Sequence, residues 1–589
     1  MCGIFAIVND KTHRAAQTTL EGLKKLEYRG YDSWGVAVVT EKGASVAIEK
    51  HVGKIGGATT GLPNGTIAIG HTRWATHGGV TDQNAHPHLD CTGRFVVIHN
   101  GIVENYQELK QNLIKKHHVF HSETDTEVIA HSIEDAVKNK PTVQAVLEVF
   151  SQLAGSNAIV VLDAKTKTIV ACRNGSPLVA GIGDESFFLA SDVPAFLRYT
   201  STVHFLSDGE AVVLSNQGIK LFDIRTIKTK PMSTQTLDWK LEDAEKGGYP
   251  HFMIKEIMEQ VRTVPKTAQV NNDVISAVAK QIQKGNRVVL TACGTASYCA
   301  LAAKYFFADI GLEVQSYGAY EFAPFAKFSD KKTVLFAISQ SGETADTLIA
   351  TKKAKQNGAY IVAVVNARGS TLERLSDAVI PVGAGPEIAV VSTKAFTSQL
   401  STLYLVSQAV TGTLPKAASE ITTLGRVLET WLTDTLCEKI IKLAKDLVDH
   451  TDMYVIGKHT GYPAGLEFAL KIKETSYIHA EPFAAGELKH GVITLIQKGT
   501  PCFVIATQEN SKLELLSSAA ELKARGGKII GVAPFPSAEF DVHVPIPDAG
   551  PLTIIPAVIV GQLLGYYLGI GRGTDPDKPR NLAKSVTVK

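Results

Sequence analysis

Three stretches of this chain carry residue types that can do chemistry at the spacing chemistry needs. The first is Met1-Cys2-Gly3-Ile4. Initiator methionine is normally removed before a small side chain, so the mature chain is expected to begin at Cys2, with a thiol and a free α-amine on one residue. An α-amine titrating near pH ~8 can take the thiol proton and return it to a leaving group. Polar clusters at Tyr28-Arg29-Gly30-Tyr31-Asp32-Ser33, His71-Thr72-Arg73-Trp74-Ala75-Thr76-His77-Gly78 and His99-Asn100-Gly101 accompany it. The second stretch is Ser339-Gln340-Ser341-Gly342-Glu343-Thr344. Its hydroxyls and the N–H groups of a helix N-terminus make an anion site without a metal, and it lacks the Gly-Lys-Ser/Thr of a Walker loop. The third is Glu467, Lys471 and Glu474, spaced so that they share one helix face. Aldose–ketose chemistry needs a base to move a proton between C1 and C2 and often a lysine to polarise the carbonyl. Taken singly, a buried cysteine, a serine-capped helix and a salt-bridged solvent face account for each; their company on one chain points to catalysis.

Positioning these groups requires scaffolds that the periodicity predicts. Residues 4–8 read as a short apolar strand, and 12–26 carry helical spacing with Leu20, Leu23 and Leu26 on one side. Alternating runs at 34–39, 66–69, 95–98, 158–162, 168–172, 187–190 and 211–214 follow. They predict an α+β domain over 2–238, with two antiparallel sheets stacked face to face and flanking helices. Residues 239–252, with their Pro, Gly, charges and isolated aromatics, read as a linker. Beyond it the order strand, polar turn, helix, strand occurs twice, with strands at 287–290, 333–338 and 360–365, then at 453–456, 501–506 and 528–532. This predicts two doubly wound α/β domains, 253–420 and 421–570, with ligands at the C-terminal ends of the strands. A tail, 571–589, closes the chain.

Composition narrows the class. At 589 residues, 44% apolar and 20% charged, the chain is long enough for several cored domains. Sixty Lys plus Arg against 58 Asp plus Glu, with no long basic run, gives neither a nucleic-acid nor a membrane footprint. Seven cysteines are scattered without a CxxC pair or zinc spacing. His77, His86, His88 and His99 are unevenly spaced with no carboxylate cluster, so no metal is expected. The absence of a signal core or an uninterrupted apolar 20-mer leads to the expectation of a cytoplasmic protein.

On the quoted motifs the first domain resembles the class II glutamine amidotransferases, whose nucleophile is an N-terminal cysteine. The repeat is similar to the sugar isomerase (SIS) fold, and the resemblance extends over nearly the whole chain. It implies Cys2 as nucleophile and Asn100 with the Gly101 N–H as oxyanion donors. It implies Arg73 and Asp125 as holders of the glutamine α-carboxylate and α-amine, Thr76 and His77 as further pocket residues, and Trp74 as an ammonia gate. In the repeat it implies Ser339, Gln340, Ser341, Thr344 and Thr295 as phosphate binders, with Val390 and Ser392 against the sugar. Glu474 is then the proton shuttle, His490 the ring opener, Lys471 a nearby charge, Glu467 its support, and Lys584 of the tail a Schiff-base lysine. Three positions depart from the family pattern: Trp34 and Ala296, where a small residue and a serine are usual, and Val391, which is more often alanine. The implied reaction takes glutamine and fructose 6-phosphate to glucosamine 6-phosphate and glutamate, without a cofactor, in a homodimer joined through the SIS domains. Three other readings are an amidotransferase for another keto-sugar phosphate, a glutaminase with a sugar-phosphate-sensing SIS module, and a pure SIS-type binding regulator, which would have no need of Cys2.

Overall fold

The computed structural model describes residues 2–41, 45–237, 245–270 and 272–586, so part of the expected linker, 239–244, lies outside the described residues. It divides into two compact bodies, one made of Met1–Ala244 with Ala583–Lys589, the other of Glu245–Leu582.

In the first body the strand Gly3–Val8 runs antiparallel between Phe187–Ala190 and Ile67–Arg73. That sheet has eight strands and continues through Ser33–Val39 to Val46–Val52. A second, seven-stranded sheet contains Phe95–Gly101 beside Asn157–Asp163. Alternation decides the layering. Ile4, Ala6 and Val8 meet Val96, Ile98, Val160 and Leu162 in one core between the sheets. Phe95, Val97, Ile159 and Val161 turn the other way, under the helices Glu127–Ala136 and Thr142–Gln152. The expected stack of two antiparallel sheets with flanking helices is therefore present. Strands such as Val46–Val52, half-exposed and carrying Glu49, Lys50 and His51, lack a clean apolar alternation and are not among the expected ones.

The second body holds two five-stranded parallel sheets of identical order. In one, Arg287–Ala292 lies between Val314–Gly318 and Thr333–Ser339, followed by Tyr360–Val365 and Ala378–Pro381. In the other, Asp452–Gly457 lies between His479–Ala484 and Pro501–Ile505, followed by Lys528–Ala533 and Val542–Pro545. The order reverses direction beside the first strand of each, where doubly wound sheets open a crevice. The turns at 293–295 and 339–344 both leave strands at that reversal in the first sheet.

The helix Ile554–Gly571 is apolar on all sides and buried, as a core helix must be. Among the described residues one helix, Gly550–Gly571, is long and apolar enough to cross a membrane, and 83% of its apolar window lies inside the protein. It packs along Gly461–Ser476 through glycines four residues apart. A Cβ at Gly561 would sit 2.5 Å from the Phe468 ring, one at Gly565 2.8 Å from the Lys471 carbonyl, and one at Gly569 3.0 Å from the Thr475 carbonyl. Thr475 Oγ1 also donates to the Gly565 carbonyl at 2.6 Å. These glycines set the depth at which the Glu467–Glu474 face lies.

Gly565→Ala is expected to push the two helices apart at a cost of about 1–3 kcal/mol. Thermal unfolding should show the loss in the second body, while glutamine hydrolysis stays within about twofold of the parent. An unchanged midpoint would remove the close-approach argument.

Candidate active sites

In the first body, Cys2 is half-buried directly ahead of a central strand. Its Sγ accepts the Trp74 backbone N–H at 3.2 Å, and its carbonyl accepts Asn100 Nδ2 at 2.9 Å and Arg29 Nε at 3.2 Å. Burial pushes the thiol pKa up, opposed by the Trp74 N–H and the Arg73 and Arg29 charges. Asn100 is itself oriented: its Oδ1 lies 3.0 Å from His71 Nε2, which also lies 3.0 Å from the His99 carbonyl. A ring N–H there leaves the Asn100 amide nitrogen pointing at Cys2. Gly101 has φ +141°, and a Cβ on it would fall 2.1 Å from the Ser156 carbonyl.

The remaining predicted residues of this body are placed as follows. Arg73 is buried, with its guanidinium donating to the carbonyls of Gly79 at 3.0 Å and Gly78 at 3.1 Å, and to that of His77. Asp125 is buried and accepts the Val103 N–H at 2.7 Å. Thr76 is exposed, and His77 packs edge-on against Tyr106. Trp74 meets the Tyr31 ring edge-on at 5.4 Å. Trp34, the departure from the family pattern, is buried against His51 at 4.5 Å.

The structure adds residues that sequence reasoning did not single out. Asp32 Oδ2 accepts the Ala75 N–H at 2.8 Å and so fixes the turn after Trp74. Gly30 lets that loop lie on the strand end, since a Cβ would meet Arg73 and Trp74 backbone atoms at 2.8 Å. His71 stacks on His86 at 4.1 Å, and His86 meets His88 at 4.8 Å. Their signal was the quoted motif itself, in which His71 and Arg73 sit two apart on one strand face.

In the second body, Lys471 has no exposed surface and lies at the centre of a polar cluster. Its Nζ is 2.7 Å from Glu474 Oε2 and 3.2 Å from Glu467 Oε1. It also donates to Thr295 Oγ1 at 3.1 Å and to the Ser392 carbonyl at 3.2 Å. Burial pushes Glu467 up to about 7 although Lys471 pulls it down, while the two carboxylates raise Lys471 above its ordinary value despite burial. Four predicted residues thus converge on the ammonium of a fifth. Ser392 Oγ donates to Glu387, whose carboxylate also caps the Lys394–Val410 helix through the Thr393 and Ala395 N–H groups.

The predicted phosphate turn is built as a tight loop. Ser339 Oγ accepts the Gly342 N–H at 2.9 Å, Ser341 Oγ accepts that of Glu343 at 3.2 Å, and Thr344 precedes the Ala345–Gln356 helix. Gly342 has φ +65°, and a Cβ would strike Ser370 Oγ at 2.2 Å. The Gln340 carbonyl accepts from Ala367 at 3.0 Å. Ser297 does not substitute for the hydroxyl missing at Ala296, because its Oγ donates back to the Gly294 carbonyl at 2.6 Å. The Val390 N–H is taken by the Asp577 carbonyl at 3.0 Å. His490 is exposed on a short helical turn outside the Lys471 cluster, and Lys584 belongs with the first body.

Comparison with known proteins defines the class first. Residues 71–198 match the glutamine amidotransferase domain, and 281–409 with 446–538 match the SIS domain. The chain is 44% identical over 615 aligned positions to glutamine–fructose-6-phosphate aminotransferase (isomerizing) of Thermococcus kodakarensis, all of both chains being covered. It is 42% identical to that of Pyrococcus horikoshii and 41% to one from Thermus thermophilus, again over the full length of both. A solved C-terminal domain of glucosamine-fructose-6-phosphate aminotransferase from Francisella tularensis covers 57% of the chain, and all of that domain, at 30% identity and a TM-score of 0.51. The chain is an amidotransferase of the SIS type. It belongs to the glutamine–fructose-6-phosphate aminotransferase (isomerizing) family.

The buried histidines give the first body a pH signature. Burial lowers His71 to about 3 and also lowers His86, His88 and His99. The folded state holds them neutral, whereas the unfolded chain binds protons below pH ~6.5. Their contribution is therefore present above pH ~6.5 and lost as the pH falls through each folded value, which for His71 lies at about 3, at about 1.4 kcal/mol per pH unit for a group held neutral. Calorimetry between pH ~7 and ~5 should show the first body's transition falling faster than the second's; parallel shifts would contradict it.

Proposed function

We propose that this chain converts fructose 6-phosphate and glutamine to glucosamine 6-phosphate and glutamate, using Cys2 in one body and the Lys471 cluster in the other. The observation that carries the reading is the pre-set contact of Cys2 with Trp74 and Asn100, next to a family match over the full chain. Cys2 attacks the glutamine side-chain amide, with its α-amine shuttling the proton. Asn100 and the Gly101 N–H hold the oxyanion, the Asn100 amide being oriented by His71 before substrate arrives. Arg73 exchanges loop carbonyls for the glutamine α-carboxylate, Asp125 pairs with the α-amine, and Thr76 and His77 complete the pocket.

In the second body Ser339, Gln340, Ser341 and Thr344 take the phosphate, with Thr295 beside them and Val390 and Ser392 against the sugar. His490 opens the ring, and Lys584 forms a Schiff base with the open-chain ketose. Ammonia, released past Trp74, displaces that lysine at C2, and Glu474 moves the proton from C1 to C2. Lys471, 2.7 Å from Glu474, fixes the position of that carboxylate for the step. The proposal includes a homodimer joined through the SIS domains and a cytoplasmic location, supported by seven unpaired thiols, the nucleophile among them. No cofactor enters this cycle.

Incubation with glutamine and fructose 6-phosphate should yield glutamate and glucosamine 6-phosphate near one to one. Cys2→Ala should cut glutamine-dependent synthesis by on the order of 10³-fold or more, while ammonia-driven synthesis persists. Equal loss of both in a folded variant would refute the division of labour, and glutamate without amino sugar would refute the acceptor.

A further inference from the structure

Outside both sites, Cys91, His118, His131 and Glu134 bring one ligand-type atom each to within 4.8 Å of one another. They arrive from three segments: the turn after His88–Leu89, the stretch beyond the Tyr106–Lys115 helix, and the Glu127–Ala136 helix. We propose that these four side chains bind one zinc-type divalent cation in a structural role.

Four of the six ligand-to-ligand spacings lie close to the edges of a tetrahedral ion. Cys91 Sγ lies 3.7 Å from His118 Nδ1 and 3.5 Å from His131 Nδ1. Glu134 Oε2 lies 3.1 Å from His118 Nδ1 and 3.4 Å from His131 Nδ1. Ordinary zinc bond lengths give tetrahedral edges of roughly 3.5 Å between sulfur and nitrogen and roughly 3.3 Å between nitrogen and oxygen. A thiolate, a carboxylate and two neutral imidazoles also balance a dication.

The outer contacts carry the argument further. His131 Nε2 lies 3.6 Å from Glu127 Oε1, and His118 Nε2 lies 3.9 Å from Asp135 Oδ1. Both rings are buried, and neither Nε2 atom has a hydrogen-bond partner. A cation on the Nδ1 atoms places each ring proton on Nε2, facing a carboxylate, which is how metal-bound histidines are oriented. Without it, the two Nδ1 atoms share only Glu134 Oε2 and the Cys91 sulfur as partners, and that carboxylate oxygen also takes the Cys91 N–H at 3.0 Å. A ring that donates from Nδ1 to either of them turns its buried Nε2 lone pair towards a carboxylate, an arrangement buried polar groups avoid. Binding releases the thiol proton to solvent and ties the three segments together. Glu127 extends the tie, since it accepts the His121 and Ser122 N–H groups and the Ser122 hydroxyl at 2.7 Å each. The expectation of no metal had weighed other histidines. Cys91 stands 27 residues from His118 and 40 from His131, which is no recognisable ligand spacing.

Full-length protein purified without a metal-affinity tag should carry about one equivalent of zinc by elemental mass spectrometry. Cobalt(II) in its place should give the visible bands of a tetrahedral site together with a thiolate-to-metal charge-transfer band. Cys91→Ser should abolish that charge-transfer band. His131→Gln should lower bound metal to under about a tenth of an equivalent at limiting zinc, with circular dichroism confirming the fold. If either variant fails to fold, competition of the parent chain against a chromogenic chelator reads the same site. A folded parent chain that takes up neither zinc nor cobalt stoichiometrically, or a charge-transfer band that survives Cys91→Ser, overturns the proposal.

Discussion

An ammonium with no exposed surface imposes the strictest condition on the second body. Lys471 cannot be buried without counter-charges, and the helix that carries it supplies them at i−4 and i+3, in Glu467 and Glu474. Two further acceptors come from elsewhere in the body, the Thr295 hydroxyl and the Ser392 carbonyl. Thr295 opens a helix that follows the first parallel sheet's leading strand, whereas Lys471 lies on a helix that follows the leading strand of the second. The cation therefore joins the two copies of the duplicated fold. It also explains the glycines of Ile554–Gly571, because a bulkier helix there would displace the Lys471 backbone and break all four contacts.

The first body solves a related problem with neutral groups. An oxyanion donor is useful only if it already points at the reacting carbon. Asn100 meets this condition through its two ends: Oδ1 is engaged by His71, and Nδ2 is left for Cys2. His71 serves this purpose as a neutral ring, and burial keeps it neutral. A charged imidazole would add a cation beside Arg73, already buried and already lowered from its ordinary pKa by desolvation. Charge is thus concentrated where a substrate carboxylate can meet it, and excluded from the hydrogen bonds that only orient.

Much of this was legible in the sequence. Strong periodicity located the strands and the duplicated strand–turn–helix units, to the residue at Tyr360–Val365 and Phe187–Ala190, whereas the runs at 66–69 and 95–98 stop three or four residues short of the strand ends at Arg73 and Gly101, where polar residues break the apolar run. Local spacing gave the Glu467, Lys471, Glu474 face, because a helix brings i, i+4 and i+7 together by itself. Edge strands such as Val46–Val52 and Lys228–Lys230 escaped, since partial exposure removes the alternation that marks a strand. His71 as an orienting group, Asp32 as a loop brace and the Cys91–His118–His131–Glu134 cluster escaped for another reason. Each depends on contacts between segments far apart in the chain, so a motif can mark a residue such as His71 without showing which partner it meets.

The tail shows how far composition alone can mislead. From Asp577 onward it has few apolar residues, which by itself reads as a disordered charged end. The stretch leading into it is nevertheless held by polar contacts. Arg572 donates to the carbonyls of Val448, His450 and Ser476, and Thr574 Oγ1 to that of Gly569. Asp577 caps the Phe252–Met258 helix by accepting the Phe252 and Met253 N–H groups at 2.8 Å each. Its carbonyl takes the Val390 N–H, and the Arg580 N–H donates to the Tyr477 hydroxyl at 2.9 Å. A segment too polar to build a core is thus ordered by satisfying helix ends and loop carbonyls that would otherwise lack partners. Because Asp577 binds both the helix start at Phe252 and the loop at Val390, a shift of that loop would reach the tail through one residue.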